Sequence, residues 1–230
     1  MAIRIAHQVL GRIFFQRCFY LFVVLLAFDL VVPFVDLGPR GKLAIAGLDS
    51  LVVVSAVAAV GRTVLSFVLV SLLAIAALLF LWLSLEFDDT AHLASAWGFG
   101  AALDLAVIVY LLRYVFRPDV MTTDKLFGAA AAYLMIGSFW GTLYALTNLF
   151  YPGSFVGLGD ARSSEMSDYL YFSYTVLTST GFGDIVPKTH QARAVCNVEQ
   201  LTGVLFLAIL IARLAGIYPP IRRREPNDAL

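Results

Sequence analysis

The sequence predicts an all-α integral membrane protein with six transmembrane helices. Of the 230 residues, 60% are hydrophobic and 14% are charged, and the mean hydropathy is +0.86. These values lie outside the range of soluble domains, so most of the folded surface must face lipid. Six apolar stretches are each long enough for one crossing, which takes about 20 residues. They run over 14–35, 43–60, 64–85, 94–116, 126–150 and 192–217.

The first three stretches need justification as separate, retained spans. Basic residues precede the first apolar run, as in a signal peptide, but no small-residue cleavage site follows Val35, so we expect the run to be retained. Only Gly61, Arg62 and Thr63 separate the second stretch from the third. A single helix across both would be far longer than one crossing, which favours two spans joined by a tight turn.

The distribution of charge predicts the orientation of the spans. Basic residues concentrate in the connections that share one side when six spans alternate, whereas acidic residues concentrate on the other side. By the positive-inside rule, both termini are cytoplasmic and the protein is a multi-pass protein of the cell membrane. Arg40 and Lys42 count weakly against this orientation. The basic residues are Arg4, Arg12, Arg17, Arg62, Arg113, Arg117, Lys125 and Arg222 to Arg224, and the acidic ones Glu86, Asp88, Asp89, Asp160, Glu165 and Asp168.

The connection between the fifth and sixth spans contains residues 178–184, with the sequence TSTGFGD. Gly181 and Gly183 stand at alternate positions and can adopt positive φ without a Cβ penalty. A backbone of alternating handedness can turn successive carbonyls toward one axis. Such a ring of carbonyls can replace the water shell of a potassium ion.

Residues 178–184 resemble the T-V-G-Y-G-D filter of the tetrameric potassium channels. The resemblance implies passive potassium conduction by a homotetramer, with Ser179, Thr180, Gly181, Phe182 and Gly183 as the selectivity filter. Three side chains depart from the usual pattern: Ser stands for Thr, Thr for Val, and Phe for Tyr. The flanking sequence also resembles that family, with a pore helix at 167–178, an exit at 185–187 and an inner helix at 191–217.

The resemblance also implies residues that support the filter. Asp184 would brace the outer end of the filter, and Tyr171 and Thr175 on the pore helix could receive it. Thr178 belongs to the same support. Aromatic residues could form a cuff that fixes the filter radius, or they could simply face lipid. The aromatic residues are Tyr171, Phe172, Tyr174 and Phe182.

Two further residues of the sixth span stand out. Gly203 lies at the spacing of the hinge glycine in the inner helix of that family, although helix packing explains a transmembrane glycine equally well. Glu199, one turn earlier, is a buried acid near the back of the filter or the cavity.

We expect three regions along the chain: a four-helix membrane domain at 1–120, a pore domain at 121–218 and a short basic tail at 219–230. The first domain occupies the position of a voltage sensor. The fourth span has Arg113 and Arg117 only at its cytoplasmic end and Asp104 in its outer part. A sensor needs several basic residues that cross the field, so steep voltage sensing is not expected.

Asp29, Asp49 and Asp104 lie within apolar spans, where carboxylates are costly. They could form an acidic pocket for a cation or for external protons, or act as separate residues that hold helices together, and the second interpretation is favoured. The histidines His7, His92 and His190 are scattered, and the cysteines Cys18 and Cys196 suggest neither a disulfide nor a metal site.

We therefore expect a potassium channel that needs no cofactor, catalyses no reaction and binds no nucleic acid, and whose partners are its own copies, membrane lipid and potassium ions. Three alternatives stay open: a non-selective cation channel on the same scaffold, a component of a potassium transporter and, least favoured, a membrane-embedded enzyme.

Overall fold

The computed structural model describes residues 17–35, 38–60, 64–87, 89–159 and 165–217. Within these ranges six helices are long and apolar enough to cross a membrane, which confirms the predicted fold class. In chain order they and the short helix before the last of them are α1 Arg17–Val31, α2 Pro39–Val60, α3 Val64–Glu86, α4 Thr90–Val115, α5 Thr123–Phe150, α6 Met166–Leu177 and α7 His190–Ile217.

Polar capping residues set the starts of three helices. The Asp89 carboxylate accepts a hydrogen bond from the backbone N–H of Ala91, and the Thr122 hydroxyl accepts one from that of Lys125. These bonds satisfy backbone donors that have no partner inside the helix. A reciprocal capping box of Glu165 and Asp168 starts α6. The first of the six spans continues past α1 into a 3-10 turn, Val32–Phe34.

Helix α6 has 12 residues, too few to cross a bilayer, which takes about 20. It packs against α5 and α7, so it lies between the last two spans. This placement confirms the predicted re-entrant helix, with bounds one residue earlier than 167–178.

Helix α5 is the centre of the packing. It contacts α1, α4, α6 and α7, and small residues let these neighbours approach closely. Ala131, Ala132 and Ala145 are fully buried. Helices α1 and α4 therefore pack directly on α5 within one chain.

A two-stranded antiparallel sheet joins the loop after α5 to the loop before α7. Strand β1, Phe155–Val156, pairs with β2, Val186–Pro187. The Ser154 carbonyl extends this contact by accepting from the backbone N–H of Lys188 at 2.8 Å. The residues that follow the 178–184 segment are thus held against the loop after α5.

Part of the predicted charge pattern lies outside the described residues. This applies to the predicted tail at 219–230, to the start of the first span and to several charged residues of the connections. Those charged residues are Arg4, Arg12, Arg62, Asp88, Asp160, Arg222, Arg223 and Arg224.

Candidate ion-conducting site

The segment that follows α6 is hydrogen-bonded to the last turn of that helix. The backbone N–H of Ser179 donates to the Val176 carbonyl at 2.9 Å. The N–H groups of Thr180 and Gly181 both donate to the Thr175 carbonyl, at 2.8 and 3.1 Å. The inner half of the segment therefore has a fixed position relative to α6.

The backbone of this segment alternates in handedness. Ser179, Gly181 and Gly183 have φ of +57°, +52° and +83°, and among the described non-glycine residues Ser179 alone has positive φ. Thr180 and Phe182, which lie between them, therefore have negative φ. Gly181 and Gly183 thus have the positive φ that the alternation needs, and their role in binding an ion stays a prediction. The positive φ of Ser179 was not predicted from the sequence, because serine seldom adopts such a φ and nothing in the sequence indicates it.

The backbone carbonyls of residues 179–183 accept no hydrogen bond from the part of the chain that the structure describes. All the residues of 178–184 are also exposed in a single chain. A stretch of five consecutive free carbonyls provides oxygen ligands of the kind that hard cations prefer.

Side chains brace both ends of the segment. At the inner end, the hydroxyls of Thr178 and Thr180 are 2.8 Å apart. At the outer end, the Tyr171 hydroxyl donates to Asp184 Oδ2 at 2.7 Å, and the ring of Tyr171 stacks on Phe182 at 6.3 Å between centroids. The Tyr171 hydrogen bond lowers the pKa of Asp184, and the N–H of Ile185 adds to this shift. Conversely, the Asp184 carboxylate raises the pKa of Tyr171.

Other predicted supports are placed differently. The Thr175 hydroxyl donates to the Phe172 carbonyl, so Thr175 contacts the segment through its backbone carbonyl and not through Asp184. The aromatic residues that were predicted to form one cuff lie in separate groups. The ring of Phe172 packs on Tyr144 of α5 and on buried Phe155, whereas the ring of Phe182 stacks on Tyr171.

Tyr174 connects α6 to the first helix. Its hydroxyl donates to Asp29 Oδ2 at 2.8 Å, across 145 positions of sequence. Gly137 of α5 makes room for the ring, since a Cβ there would lie 2.2 Å from it. No sequence pattern joined Asp29 to Tyr174, although an intramembrane carboxylate indicates that a polar partner exists.

The three intramembrane aspartates do not form one site. Asp104 accepts from the Ser138 hydroxyl at 3.1 Å and shares a cavity of about 370 Å³ with Asp49, whereas Asp29 lies against α6. The described residues contain no group of three or more acidic, histidine or cysteine side chains placed to hold a metal ion.

Gly203 and the outer loop make close backbone contacts. A Cβ on Gly203 would lie 2.1 Å from the Leu177 carbonyl oxygen, at the end of α6. A Cβ on Gly157 would lie 2.2 Å from the Asp184 carbonyl oxygen. Packing thus accounts for Gly203, within an α7 that is continuous from His190 to Ile217, and its hinge role stays a prediction.

The class of protein follows from this geometry and from the comparisons. The profile of a family described as "Ion channel" matches residues 121–218. The "Potassium channel protein kcv" of Paramecium bursaria Chlorella virus 1 is 32% identical over 82 residues, which are 34% of this chain and 85% of that protein. The "Voltage-gated potassium channel" of Aeropyrum pernix is 28% identical over 113 residues, or 48% of this chain and 34% of that protein. No solved structure matches the chain.

The chain belongs to the potassium channel family, and it is a multi-pass membrane protein. The part of the viral relative that aligns covers most of that protein, whereas the chain spans about a third of the archaeal one. Both results agree with the resemblance that the 178–184 segment indicated.

Proposed function

We propose that four copies of this chain form a potassium-selective pore, with Ser179 to Gly183 as the selectivity filter. The observation that carries the proposal is the alternating backbone of residues 179–183, whose carbonyls are free. One such strand supplies ligands on one side of an ion only. Four strands around an axis would enclose the ion and replace its water shell.

The exposed faces of the pore domain support the same assembly. The filter and much of α7 are exposed in one chain, including Leu201 at 62% and Ile211 at 64%. Lipid can cover the apolar side chains of α7, but it cannot satisfy the free backbone carbonyls of the filter. We propose that the partner copies cover the filter-facing side and that lipid covers the rest.

The domain division and orientation complete the proposal. The pore domain would comprise residues 121–218, and the four preceding helices would act as a separate membrane domain. With both termini cytoplasmic, Asp184 would face the outside. Because Arg113 is the single arginine or lysine of α4, these helices would not give steep voltage dependence.

Purified protein reconstituted into liposomes is expected to prefer potassium over sodium at least about tenfold, equivalent to about 1.4 kcal/mol. The measurement is the reversal potential under bi-ionic conditions, with the mass of the detergent-extracted protein as a check for four chains. The same recordings would show a conductance that changes only shallowly with voltage. Equal permeability of the two ions would instead identify a non-selective cation channel.

Asp184→Asn is expected to leave assembly intact but to speed entry into a non-conducting state at low external potassium. The variant weakens the bond from Tyr171, because a charge-assisted hydrogen bond is about twice as strong as a neutral one. At low external potassium the filter also lacks the bound ions that would otherwise support it. Tyr171→Phe should have the same effect more weakly. Recovery of current after a low-potassium pulse measures it.

The lowered pKa of Asp184 determines how its stabilising effect depends on external pH. Because the pKa of Asp184 is lowered, its stabilising contribution is complete above the ordinary value of 3.8 and is lost as pH falls through the folded value. The brace should therefore be insensitive to pH near neutrality.

If both the Asp184→Asn and the Tyr171→Phe variants recover like the natural protein at low potassium, Asp184 is only a charge at the mouth.

A further inference from the structure

The buried carboxyl of Glu199 lies where three helices meet behind the proposed filter. Glu199 on α7 is fully buried, and its two oxygens contact Ser173 on α6 and Tyr144 on α5. Both partners are also fully buried. Among the residues that the structure describes, no cation is paired with Glu199. A buried acid without a cation is costly as a carboxylate, so the protons of its neighbours decide its state.

Counting protons around Ser173 identifies that state. Ser173 Oγ lies 2.7 Å from the Gly137 carbonyl oxygen and 2.5 Å from Glu199 Oε1. A hydroxyl carries one proton, and a carbonyl oxygen can only accept. If the serine proton goes to Gly137, the proton in the shorter contact must come from the carboxyl. The Tyr144 hydroxyl supplies the proton for the other oxygen, Oε2.

The resulting network runs in one direction through three helices. With the Ser173 proton on the Gly137 carbonyl, Glu199 Oε1–H would donate to Ser173 Oγ, while Tyr144 donates to Glu199 Oε2. The Cys196 thiol also forms a hydrogen bond with the Tyr144 hydroxyl and can donate to its oxygen, so each of the four protons then has one acceptor. An ionised Glu199 would instead require the Ser173 proton to serve two acceptors at short distances.

A second contact one turn away makes this connection rigid. Ser173 and Leu177 are four residues apart on α6, and Glu199 and Gly203 are four residues apart on α7. Gly203 lies directly against the Leu177 carbonyl, and the Thr175 carbonyl between them holds the filter. The spacing of α7 from α6 therefore sets the position of the filter's inner end.

We propose that Glu199 is a neutral carboxylic acid that fastens the inner helix to the pore helix and thereby positions the filter. It is a positioning residue, since it contacts α6 and not the filter. This inference rests on the proposed function, because its effect on conduction requires that residues 179–183 form the filter. The sequence marks Glu199 as a buried acid, but it does not pair it with Ser173 and Tyr144.

Glu199→Gln is the decisive variant. The amide NH₂ can donate to Ser173 Oγ and the amide oxygen can accept from Tyr144, so glutamine reproduces the neutral acid group by group. Conduction and the preference for potassium should stay within about twofold of the natural protein, less than the effect of losing one hydrogen bond. Glu199→Met, of similar size but without these groups, should lower that preference about tenfold, the effect of leaving buried partners unsatisfied.

Infrared spectroscopy tests the protonation directly. The difference spectrum between the natural protein and Glu199→Gln, in membranes at neutral pH, should contain the C=O band of a protonated carboxyl group. Glu86→Gln, which removes an exposed carboxyl at the end of α3, is the matched control and should show only a carboxylate band.

Each outcome decides the question. The absence of a protonated-carboxyl band at neutral pH would show an ionised Glu199 and overturn the proposal, and so would a Glu199→Gln protein that loses its potassium preference as Glu199→Met does. If Glu199→Met fails to assemble, the glutamine variant and the infrared band still decide it. If the natural protein itself does not select potassium, the proposed function fails, while the band reports on Glu199 independently.

Discussion

Gly181→Ala is expected to abolish potassium conduction. Gly181 has φ of +52°, a conformation that costs an L-residue with a Cβ about 1–2 kcal/mol, and a fourfold assembly would incur that cost four times. An alanine would be strained at that φ, and any relaxation toward negative φ would turn one carbonyl away from the axis in every chain. Ion flux into liposomes loaded with potassium measures the loss.

The structure offers a matched control for this variant. Gly153, in the loop after α5, has φ of +77° and, like Gly181, has no atom within 4 Å of an added Cβ. Gly153→Ala therefore imposes a similar backbone cost outside the filter, and it should conduct. Normal flux through Gly181→Ala would show that carbonyl orientation at this position does not matter and would remove the main support for the proposed filter.

Gly203→Ala is expected to have the second largest effect, through packing. The added Cβ would lie 2.1 Å from the Leu177 carbonyl oxygen, and backbone atoms cannot move aside as the end of a side chain can. We expect α7 to separate from α6 at a cost of about 3 kcal/mol per chain, at the upper end for overpacked cores. The fraction of tetramer that survives heating in detergent, together with flux, measures this effect.

Gly216→Ala is the control on the same helix. An added Cβ at Gly216 meets no atom within 4 Å, and alanine favours a helix over glycine by about 1 kcal/mol. That variant should be as stable as the natural protein or slightly more so. A Gly203→Ala protein that keeps its tetramer but opens less often would instead support the hinge interpretation.

The sequence was sufficient to predict the six transmembrane helices, because an apolar stretch long enough to cross a bilayer has one explanation, a membrane-spanning helix. Its errors lie at the ends. Helix α2 begins at Pro39, four residues before the predicted 43, because Arg40 and Lys42 extend the helix beyond the apolar stretch. Helix α4 begins at Thr90 and not at 94, since the cap at Asp89 fixes its start. Hydropathy does not report such polar first turns.

Whether a contact around the candidate site could be predicted depends on how far apart its residues lie in the sequence. Asp184 and Tyr171 are 13 residues apart within one motif, so their contact could be expected. The contacts of Glu199 with Tyr144 and of Tyr174 with Asp29 join distant segments, 55 and 145 residues apart. A single sequence shows that a buried carboxyl needs a partner but not which one, because side-chain pairing depends on how the helices pack.

The hydrogen bond from Tyr174 to Asp29 has a consequence for regulation. It joins α1 to α6, the helix that precedes the proposed filter, so the positions of these two helices are thermodynamically linked. In such a linkage the coupling is reciprocal: an influence that shifts α1 changes the free energy of the filter, and occupancy of the filter changes the preferred position of α1 by the same amount. If residues 179–183 form the filter as proposed, a shift of α1 would change the state of the pore without the movement of gating charge.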